Sequence, residues 1–534
     1  MPRTANSRAT RAARAPSAAA LVVLLVALLA AGCAALPPRP PVPPAFAIAD
    51  DGASTLARVA VASLGAAEPT SATLSGIRLV PSGTDALGAR LGLVRRAERS
   101  VDVQTFQLDA DEVGRALLRE LRDAAARGVR VRLLVDDLDA AGHDTLLSAF
   151  DAQPNVEVRV FNPLPARTGT VAWRFAVSLV DFGRINRRMH NKLFVVDGAL
   201  ALVGGRNIAD EYFMLDRAAN FIDMDALVAG PVVPELAAAF DRYWNSEPAW
   251  PLAALVAAGE SRVARALRQR AFETLAGGEG LRLPDDVAAL PGQLPVEQEL
   301  AAGRVRFERA PARVIVDAPE KVLGDEKGRP TAMGELLEAL SQADREVVIV
   351  SPYFVPGAIG MERMREARAR GVRVRAYTNS MGSTDQPLVH ERYARYRRAM
   401  LELGVELYEV AAHDATGFGT FGRSISRLHA KGAWIDGRRV FVGSVNLSGR
   451  SSIENTEVGI LVDSPAIAGQ VEYLIGRTGI RGLMRVQLAP DGALEWLSLG
   501  ADGTVQVTRD EPGGSAWARL KAWIASWFVD ERWL

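Results

Sequence analysis

One eight-residue pattern occurs twice in this 534-residue chain, and it constrains the fold more than any other feature. Histidine is followed two residues later by lysine and seven residues later by aspartate, in His190–Asp197 and again in His429–Asp436. Only five of the 63 lysines and arginines are lysines, and the chain has only five histidines. A lysine kept in such a chain indicates a site that needs a compact ammonium rather than a planar guanidinium.

The similarity between the two halves extends well beyond these segments. Three further pairs of features follow one order at offsets of 234 to 243 residues: Asn207 with Asn446, Asp223 with Glu457, and the identical heptapeptides ARGVRVR at 126–132 and 369–375. Matches that run in one order through both halves indicate an internal duplication. The chain is therefore expected to contain two related units rather than an array of repeats.

Helical and strand patterns alternate within each unit. The predicted strands are 101–106, 129–135, 156–161, 347–350, 372–376 and 405–410, and the predicted helices are 87–97, 112–127, 145–150, 333–343, 361–370 and 391–403. Strands separated by helices predict an α/β fold with mixed, mostly parallel sheets. The predicted segments are a first domain at 48–247, a connector at 248–301, a second domain at 302–480 and a C-terminal extension at 481–534.

The repeated pattern itself is predicted to lie on a strand and a turn. Residues 190–196 and 429–435 have strand character, and an Asp-Gly pair follows each of them, which is typical of a hairpin turn. Because alternate side chains of a strand share one face, the histidine and the lysine project together. Asp197 and Asp436 lie at the turns, so their role is predicted to be mainly structural.

The N-terminus has the features of a targeting segment. Four arginines precede an apolar run at 18–31, and small residues then lead to Cys33. This resembles a bacterial lipoprotein signal at 1–33, which implies lipidation of Cys33 and a body tethered to a membrane in the cell envelope, facing the periplasm. An uncleaved anchor helix is the alternative, although 14 apolar residues are short for a span. A proline-rich linker at 34–47 is predicted to act as a stiff spacer.

Composition narrows the classes of function. With a formal net charge of zero, the chain lacks the positive field that nonspecific nucleic-acid binding requires, so no nucleic-acid partner is expected. A single cysteine excludes an internal disulfide and a multi-cysteine metal site. The acids at 136, 137 and 139 follow a predicted strand and are interpreted as loop caps, and no metal is predicted. His143, His390 and His413 lie outside the repeat and are expected at the surface or in loops.

The paired motifs, with their downstream asparagines and acids, resemble the phospholipase D superfamily over about 400 residues. This resemblance implies two α/β/α halves that pack face to face, so that both motifs meet at one phosphodiester without a metal or cofactor. His190 is then the nucleophile and His429 the general acid, although the assignment can be reversed. The other implied site residues are Lys192, Lys431, Asn207 and Asn446 at the phosphate oxygens, Asp223 and Glu457 at the second ring nitrogens, and Gly205 and Ser444 as small residues beside the phosphate.

Several longer segments are similar to bacterial cardiolipin synthases of the lipoprotein-like C type. These are RMHNKLFVVDG, GGRNIADEYF, SPYFVP, LHAKGAWIDG and GSVNLSGRS. The resemblance implies transfer of a phosphatidyl group to phosphatidylglycerol, with phospholipids and the bilayer as partners. Ser448-Gly449 stands where the family usually has Asp-Pro, which bears on the acceptor more than on catalysis. A hydrolase of the same superfamily and a catalytically silent envelope scaffold are the alternatives.

Two segments are candidates for membrane contact. Residues 171–182 are apolar and contain Trp173 and Phe182, just before the first motif, and burial in the core is the alternative. Near the C-terminus, Trp517, Leu520, Trp523, Ile524 and Trp527 recur at helical spacing. Such a helix can lie in the headgroup layer or pack on the parent domain.

Overall fold

Two large β-sheets with helices packed on them make up the described part of the chain. The structure is a computed structural model, and it describes residues 36–65, 73–167, 170–178, 181–256, 261–278, 281, 283, 290–324, 328–412, 425–478, 482–500 and 502–513. The strands are β1 Ser75–Val80, β2 Ser100–Thr105, β3 Arg130–Asp136, β4 Val156–Phe161, β5 Leu193–Val196, β6 Leu200–Gly204, β7 Ala219–Ile222, β8 Asp225–Ala229, β9 Ala249–Pro251, β10 Glu308–Ala310, β11 Ala312–Val316, β12 Glu346–Val350, β13 Arg373–Asn379, β14 Glu406–Val410, β15 Ile425–Leu428, β16 Lys431–Ile435, β17 Arg439–Gly443, β18 Val458–Asp463, β19 Leu483–Leu488, β20 Leu494–Leu499 and β21 Val505–Thr508.

The helices connect these strands and cover the sheets. They are α1 Thr55–Leu64, α2 Gly83–Arg96, α3 Glu112–Ala126, α4 Asp137–Ala140, α5 Asp144–Asp151, α6 Val171–Ser178, α7 Phe182–Ile185, α8 Val232–Trp244, α9 Leu252–Leu255, α10 Arg262–Leu275, α11 Val296–Ala301, α12 Ala332–Ser341, α13 Gly357–Ala369, α14 Pro387–Glu402, α15 Gly449–Ile453 and α16 Pro465–Thr478, with 3-10 turns at Asp210–Phe213 and Pro319–Leu323. The predicted helices and strands of the βα units all form, with small shifts at their ends.

The strand order of one sheet repeats that of the other. The nine-stranded sheet runs β10-β1-β8-β6-β5-β2-β3-β4-β9, and the ten-stranded sheet runs β11-β18-β17-β16-β12-β13-β14-β19-β20-β21. The α/β class with two duplicated halves and mixed sheets is confirmed. A separate two-stranded sheet, β7 with β15, is parallel and joins the two halves. In the two large sheets most strand pairs are antiparallel, and the parallel pairs are those of β2-β3-β4 and β12-β13-β14. Each motif adds a hairpin to these trios, and strands joined by a short turn pair antiparallel.

The repeated heptapeptide folds in the same way in both halves. Its first residue ends α3 or α13, and its last three residues begin β3 or β13. The turn between them places Gly128 at φ 101° and Gly371 at φ 83°. Glycine adopts this left-handed conformation without steric cost, so the helix ends there and the chain reverses into the strand.

The motif strands begin later than predicted. β5 starts at Leu193 and β16 at Lys431, so His190 and His429 both lie before their strands. Their backbone N–H groups bond across the molecule instead: that of His190 to the carbonyl of Thr456 at 2.9 Å, and that of His429 to the carbonyl of Ile222 at 2.7 Å. Each histidine is therefore positioned by the opposite half.

The two sheets pack face to face through a shared apolar core. Val203, Val228, Val440 and Ile460 belong to this core, together with the buried faces of α8 and α16. Two further cores lie on the outer faces, one between the first sheet and helices such as α3, the other between the second sheet and helices such as α13. Burial on both faces of each sheet holds the halves in one relative position.

The proline-rich segment packs on the body rather than standing away from it. Ala45 N–H donates to Asn245 Oδ1 at 2.9 Å, and Ala47 N–H donates to Asp241 Oδ2 at 2.8 Å. Residues 36–47 thus follow the surface beside α8. Signal residues 1–33 with Cys33, and the C-terminal segment 514–534, lie outside the described residues.

Two segment boundaries fall at positions that sequence alone did not indicate. The chain passes from the first sheet to the second between β10 and β11, about ten residues after the predicted start of the second domain. Strands β19 to β21 extend the second sheet, so much of the predicted C-terminal extension belongs to that half. Among the described residues, no helix combines the length and apolar character that a membrane span requires.

Candidate active site

The two motif histidines meet at one place, and each is paired with an acid from the other half. His190 Nδ1 lies 2.9 Å from Glu457 Oε2, and His429 Nδ1 lies 2.6 Å from Asp223 Oδ2. These partners are 267 and 206 residues apart along the chain. A carboxylate at Nδ1 keeps the proton there, so each ring presents an Nε2 lone pair.

Both acids are themselves held in place by local contacts. Glu457 accepts a bond from the Ser451 hydroxyl at 2.6 Å and another from the Ser444 hydroxyl. Asp223 lies so close to Gly205 that a Cβ built on this glycine would be 2.1 Å from Oδ1. Gly205 thus leaves room for Asp223, and Ser444 donates a hydrogen bond to Glu457. Their place beside the phosphate stays a prediction.

The two lysines lie against the histidines. Lys192 Nζ donates to the carbonyl of His190 at 2.8 Å, and its ammonium lies 5.4 Å from the ring centre of Phe106. Lys431 Nζ donates to the carbonyl of His429 at 2.6 Å and lies 2.8 Å from Nε2 of the same ring. Four buried cationic or basic groups thus share a small volume with two buried acids.

Burial controls the protonation of these groups. It lowers the pKa of His190 and of His429 to about 4, although their paired carboxylates act in the opposite direction. Burial also lowers the pKa of Lys431 to about 8, and burial together with Lys431 lowers the pKa of Lys192 well below its usual value. For Asp223, burial favours a higher pKa, but its histidine and lysine neighbours outweigh it and lower the pKa.

A cavity of about 450 Å³ opens onto both histidines. Its wall also contains Asn207 and Asn446, the two asparagines predicted from the repeat. Asn207 Nδ2 donates to the hydroxyl of Tyr212 at 2.8 Å. The structure therefore brings the predicted histidines, lysines, asparagines and acids together, whereas the roles given to them remain predictions.

Several cavity residues were not identified from the sequence. They are Phe106, Gln107, Asp139, Tyr212, Tyr353, Asp385, Arg450 and Asn455. Tyr212 and Tyr353 pack around the His429 ring, with ring centres 5.0 and 6.2 Å away. Both tyrosines occur in segments that resemble the family, GGRNIADEYF and SPYFVP, so the resemblance was the only signal that could have found them.

The motif aspartates lie away from the cavity, at the tips of the predicted hairpins. Both Asp-Gly pairs have positive φ, 54° and 67° at Asp197-Gly198 and 56° and 66° at Asp436-Gly437, as a two-residue hairpin turn requires. The Asp197 carboxylate accepts backbone N–H bonds from residues 98, 99 and 100. The Asp436 carboxylate accepts the equivalent bonds from residues 344, 345 and 346. Each aspartate ties its turn to the start of β2 or β12.

The acidic run at the end of β3 divides into two kinds of residue. Asp136 binds Arg188 and the backbone N–H of Leu138, and Asp137 accepts from the backbone of Leu164, so these two act as the expected loop contacts. Asp139 instead lines the cavity, and burial raises its pKa to about 7.

Three acidic side chains form a cluster near the site. Asp109, Asp111 and Glu211 bring their oxygens within 4.8 Å of one another, but Asp111 caps α3 through the N–H of Gly114.

His390 was expected at the surface or in a loop, and it is instead buried in α14 with Nε2 2.8 Å from Glu511. His413 lies outside the described residues.

The apolar stretch before the first motif forms α6 and α7. Trp173 is 50% exposed and Phe182 is 37% exposed, so these two side chains are not core residues. Residues 179 and 180 between the helices are outside the described ranges.

The sequence is similar to that of known proteins over most of its length. The family model described as cardiolipin synthase, phospholipase D-like domain, matches residues 91–244 and 336–477. Cardiolipin synthase C of Escherichia coli is 34% identical over 459 residues, which cover 84% of this chain and 94% of that protein. Cardiolipin synthase A of Pseudomonas fluorescens is 29% identical, over 75% of this chain and 67% of that protein.

A solved structure shares the fold. The crystal structure of phosphatidylserine synthase from Haemophilus influenzae superposes with a TM-score of 0.52 at 16% identity, over 76% of this chain and 88% of that chain. The likeness extends over both halves, which agrees with the duplicated architecture.

Proposed function

Because the chain belongs to the family of cardiolipin synthases with phospholipase D-like domains, we propose that it transfers a phosphatidyl group from one phospholipid to a hydroxyl of phosphatidylglycerol. The observation that carries this proposal is the convergence of both motif histidines on one cavity. Two imidazoles at one phosphorus can divide a displacement into two steps, one as nucleophile and one as acid and base.

In the first step, Nε2 of His190 attacks the phosphorus of the donor lipid. The bond from phosphorus to the headgroup oxygen breaks, and a bond from phosphorus to nitrogen forms. His429 gives a proton to the departing headgroup alcohol. Burial and the adjacent ammonium keep the His429 pKa near 4 before substrate binds, and a bound phosphodiester anion raises this pKa so that the ring can carry the proton.

In the second step, the acceptor alcohol displaces the histidine. Its proton passes to Nε2 of His429, its oxygen bonds to phosphorus, and the phosphorus–nitrogen bond breaks. Lys192, Lys431, Asn207 and Asn446 stabilise charge on the phosphoryl oxygens in both transition states. The paired acids stabilise each imidazole as it becomes positively charged.

An asymmetry between the histidines supports His190 as the nucleophile. The Lys431 ammonium lies 2.7 Å from Nδ1 and 2.8 Å from Nε2 of His429, and its positive charge lowers the basicity of that ring. Nε2 of His190 forms no hydrogen bond with any described residue, so its lone pair is available to attack.

A lipid substrate also requires access to a membrane. Lipidation of Cys33 would anchor the protein in the bacterial envelope, facing the periplasm, and the exposed Trp173 and Phe182 would contact the bilayer near the first motif. The C-terminal amphipathic segment is proposed as a further contact.

Product analysis tests this function. Purified protein is incubated with phosphatidylglycerol and phosphatidylethanolamine, together and separately, in mixed micelles, and the lipids are separated. Cardiolipin is the expected product, and it is lost in both His190→Ala and His429→Ala while the variants remain folded. Release of phosphatidic acid without cardiolipin would identify a hydrolase, and an inactive wild type would favour a scaffold.

A further inference from the structure

Three residues of the cavity wall each have a buried side-chain acceptor without a hydrogen-bond partner. Oδ1 of Asp385, Asn446 and Asn455 is buried in each case and bonds to nothing in the described part of the chain. Buried polar atoms are normally hydrogen-bonded, and an unpaired one is costly. A ligand that satisfies these oxygens therefore carries several donors, as hydroxyl groups do.

Of these three residues, Asp385 shows most clearly that the ligand must donate the hydrogen bond. An asparagine side chain can turn over and offer its NH₂ instead, whereas neither oxygen of a carboxylate can donate. Asp385 lies between β13 and α14, and its Oδ2 accepts a bond from the Tyr353 hydroxyl at 2.6 Å. The Tyr353 ring in turn packs edge-on to His429. One carboxylate oxygen is thus held by the tyrosine beside His429, and the other is left for a ligand.

We propose that Asp385 is a binding residue for the acceptor and selects an alcohol with two neighbouring hydroxyls. In the second step, one hydroxyl gives its proton to Nε2 of His429 and attacks phosphorus. The adjacent, unreacting hydroxyl donates to Asp385 Oδ1 and aligns the first. The glycerol headgroup of phosphatidylglycerol has such a pair, and water does not. This inference rests on the proposed transfer reaction and defines its acceptor class.

Small alcohols test the inference directly. The purified full-length protein, with a donor phospholipid in mixed micelles, is offered equal concentrations of propane-1,2-diol and propan-1-ol. We expect wild type to form the diol ester about tenfold or more faster, since a hydrogen bond to a charged group has this effect. Asp385→Ala should bring the two rates to within about twofold. Asp385→Asn, which keeps a partner for Tyr353 and the side-chain volume, should give an intermediate preference.

A matched variant controls for the general loss of an acidic side chain from the cavity. Asp139 follows β3 as Asp385 follows β13, and it also lines the cavity. Asp139→Ala should leave the ratio of the two esters within about twofold of wild type, whatever its effect on rate.

The outcomes separate this inference from the proposed function. If wild type releases only phosphatidic acid and transfers to no alcohol, the proposed function fails first. If wild type transfers but shows no preference for the diol, or if both Asp385 variants keep that preference, the acceptor inference alone is overturned. An equal loss of preference in Asp139→Ala would overturn it as well.

Discussion

The crossed pairing of histidines and acids predicts that two similar substitutions will affect different chemical steps. Asp223 holds His429, the proposed acid, and Glu457 holds His190, the proposed nucleophile. Asp223→Asn and Glu457→Gln each keep the side-chain volume but remove the charge from a buried hydrogen bond of 2.6 or 2.9 Å. Such a bond to a charged group contributes about 1.5–3 kcal/mol.

That free energy sets the size of the effect. At about 1.4 kcal/mol per factor of ten, each variant should form the phosphorus–nitrogen bond about 10- to 100-fold more slowly from a natural donor. The variants should differ when the headgroup is p-nitrophenol, which leaves without needing a proton. Asp223→Asn should then release p-nitrophenol in a burst about as fast as wild type, whereas Glu457→Gln should stay slow, because its nucleophile is impaired.

The assay follows p-nitrophenol absorbance after rapid mixing with excess donor, and the size and rate of the first-turnover burst are measured. The unfolding midpoint of each variant is measured in parallel. Equal slowing of both variants with the activated donor would refute the crossed assignment of acids to steps. Rescue of Glu457→Gln instead of Asp223→Asn would show that the roles of His190 and His429 are reversed.

Three further predictions concern other parts of the site. In Gly205→Ala a Cβ would lie 2.1 Å from Asp223 Oδ1, so the carboxylate must move away. Transfer activity should fall to about that of Asp223→Asn, and overpacking of this buried site should lower the free energy of unfolding by about 1–3 kcal/mol. Full activity would contradict this. Because the Lys431 pKa is about 8 and its ammonium must be charged, kcat/KM should fall above about pH 8. Lys431→Arg is slower but stays charged, so it should change the midpoint or steepness of this limb and leave the part that is due to Lys192, whose pKa burial also lowers. An unchanged limb would assign it to Lys192 instead. Asp197→Ala should lower the free energy of unfolding, measured in urea, by about 2–4 kcal/mol, because backbone N–H groups lose a buried acceptor. Asp436→Ala should lower it by less, since that carboxylate is partly exposed.

Local patterns predicted most of the fold but failed where longer-range pairing decided the outcome. The heptapeptide ARGVRVR and the Asp-Gly turns formed as expected, since each depends on a few adjacent residues. Local patterns did not indicate how many strand pairs are antiparallel, because the motif hairpins lengthen each sheet on one side of its parallel trio. The contacts of the proline-rich segment could not be predicted locally either, because its bonds to Asn245 and Asp241 depend on a surface about 200 residues away.

The sequence alone determined that the chain is duplicated and which residue types each copy contributes to chemistry, because periodicity, spacing and turn residues act over short distances. Only the tertiary structure decided that His190 pairs with Glu457 and His429 with Asp223, across the two halves. It also decided that Gly205 and Ser444 serve the acids, and that Asp385 faces the cavity. These contacts depend on how two sheets pack face to face, and that packing is a property of the whole buried surface rather than of any segment.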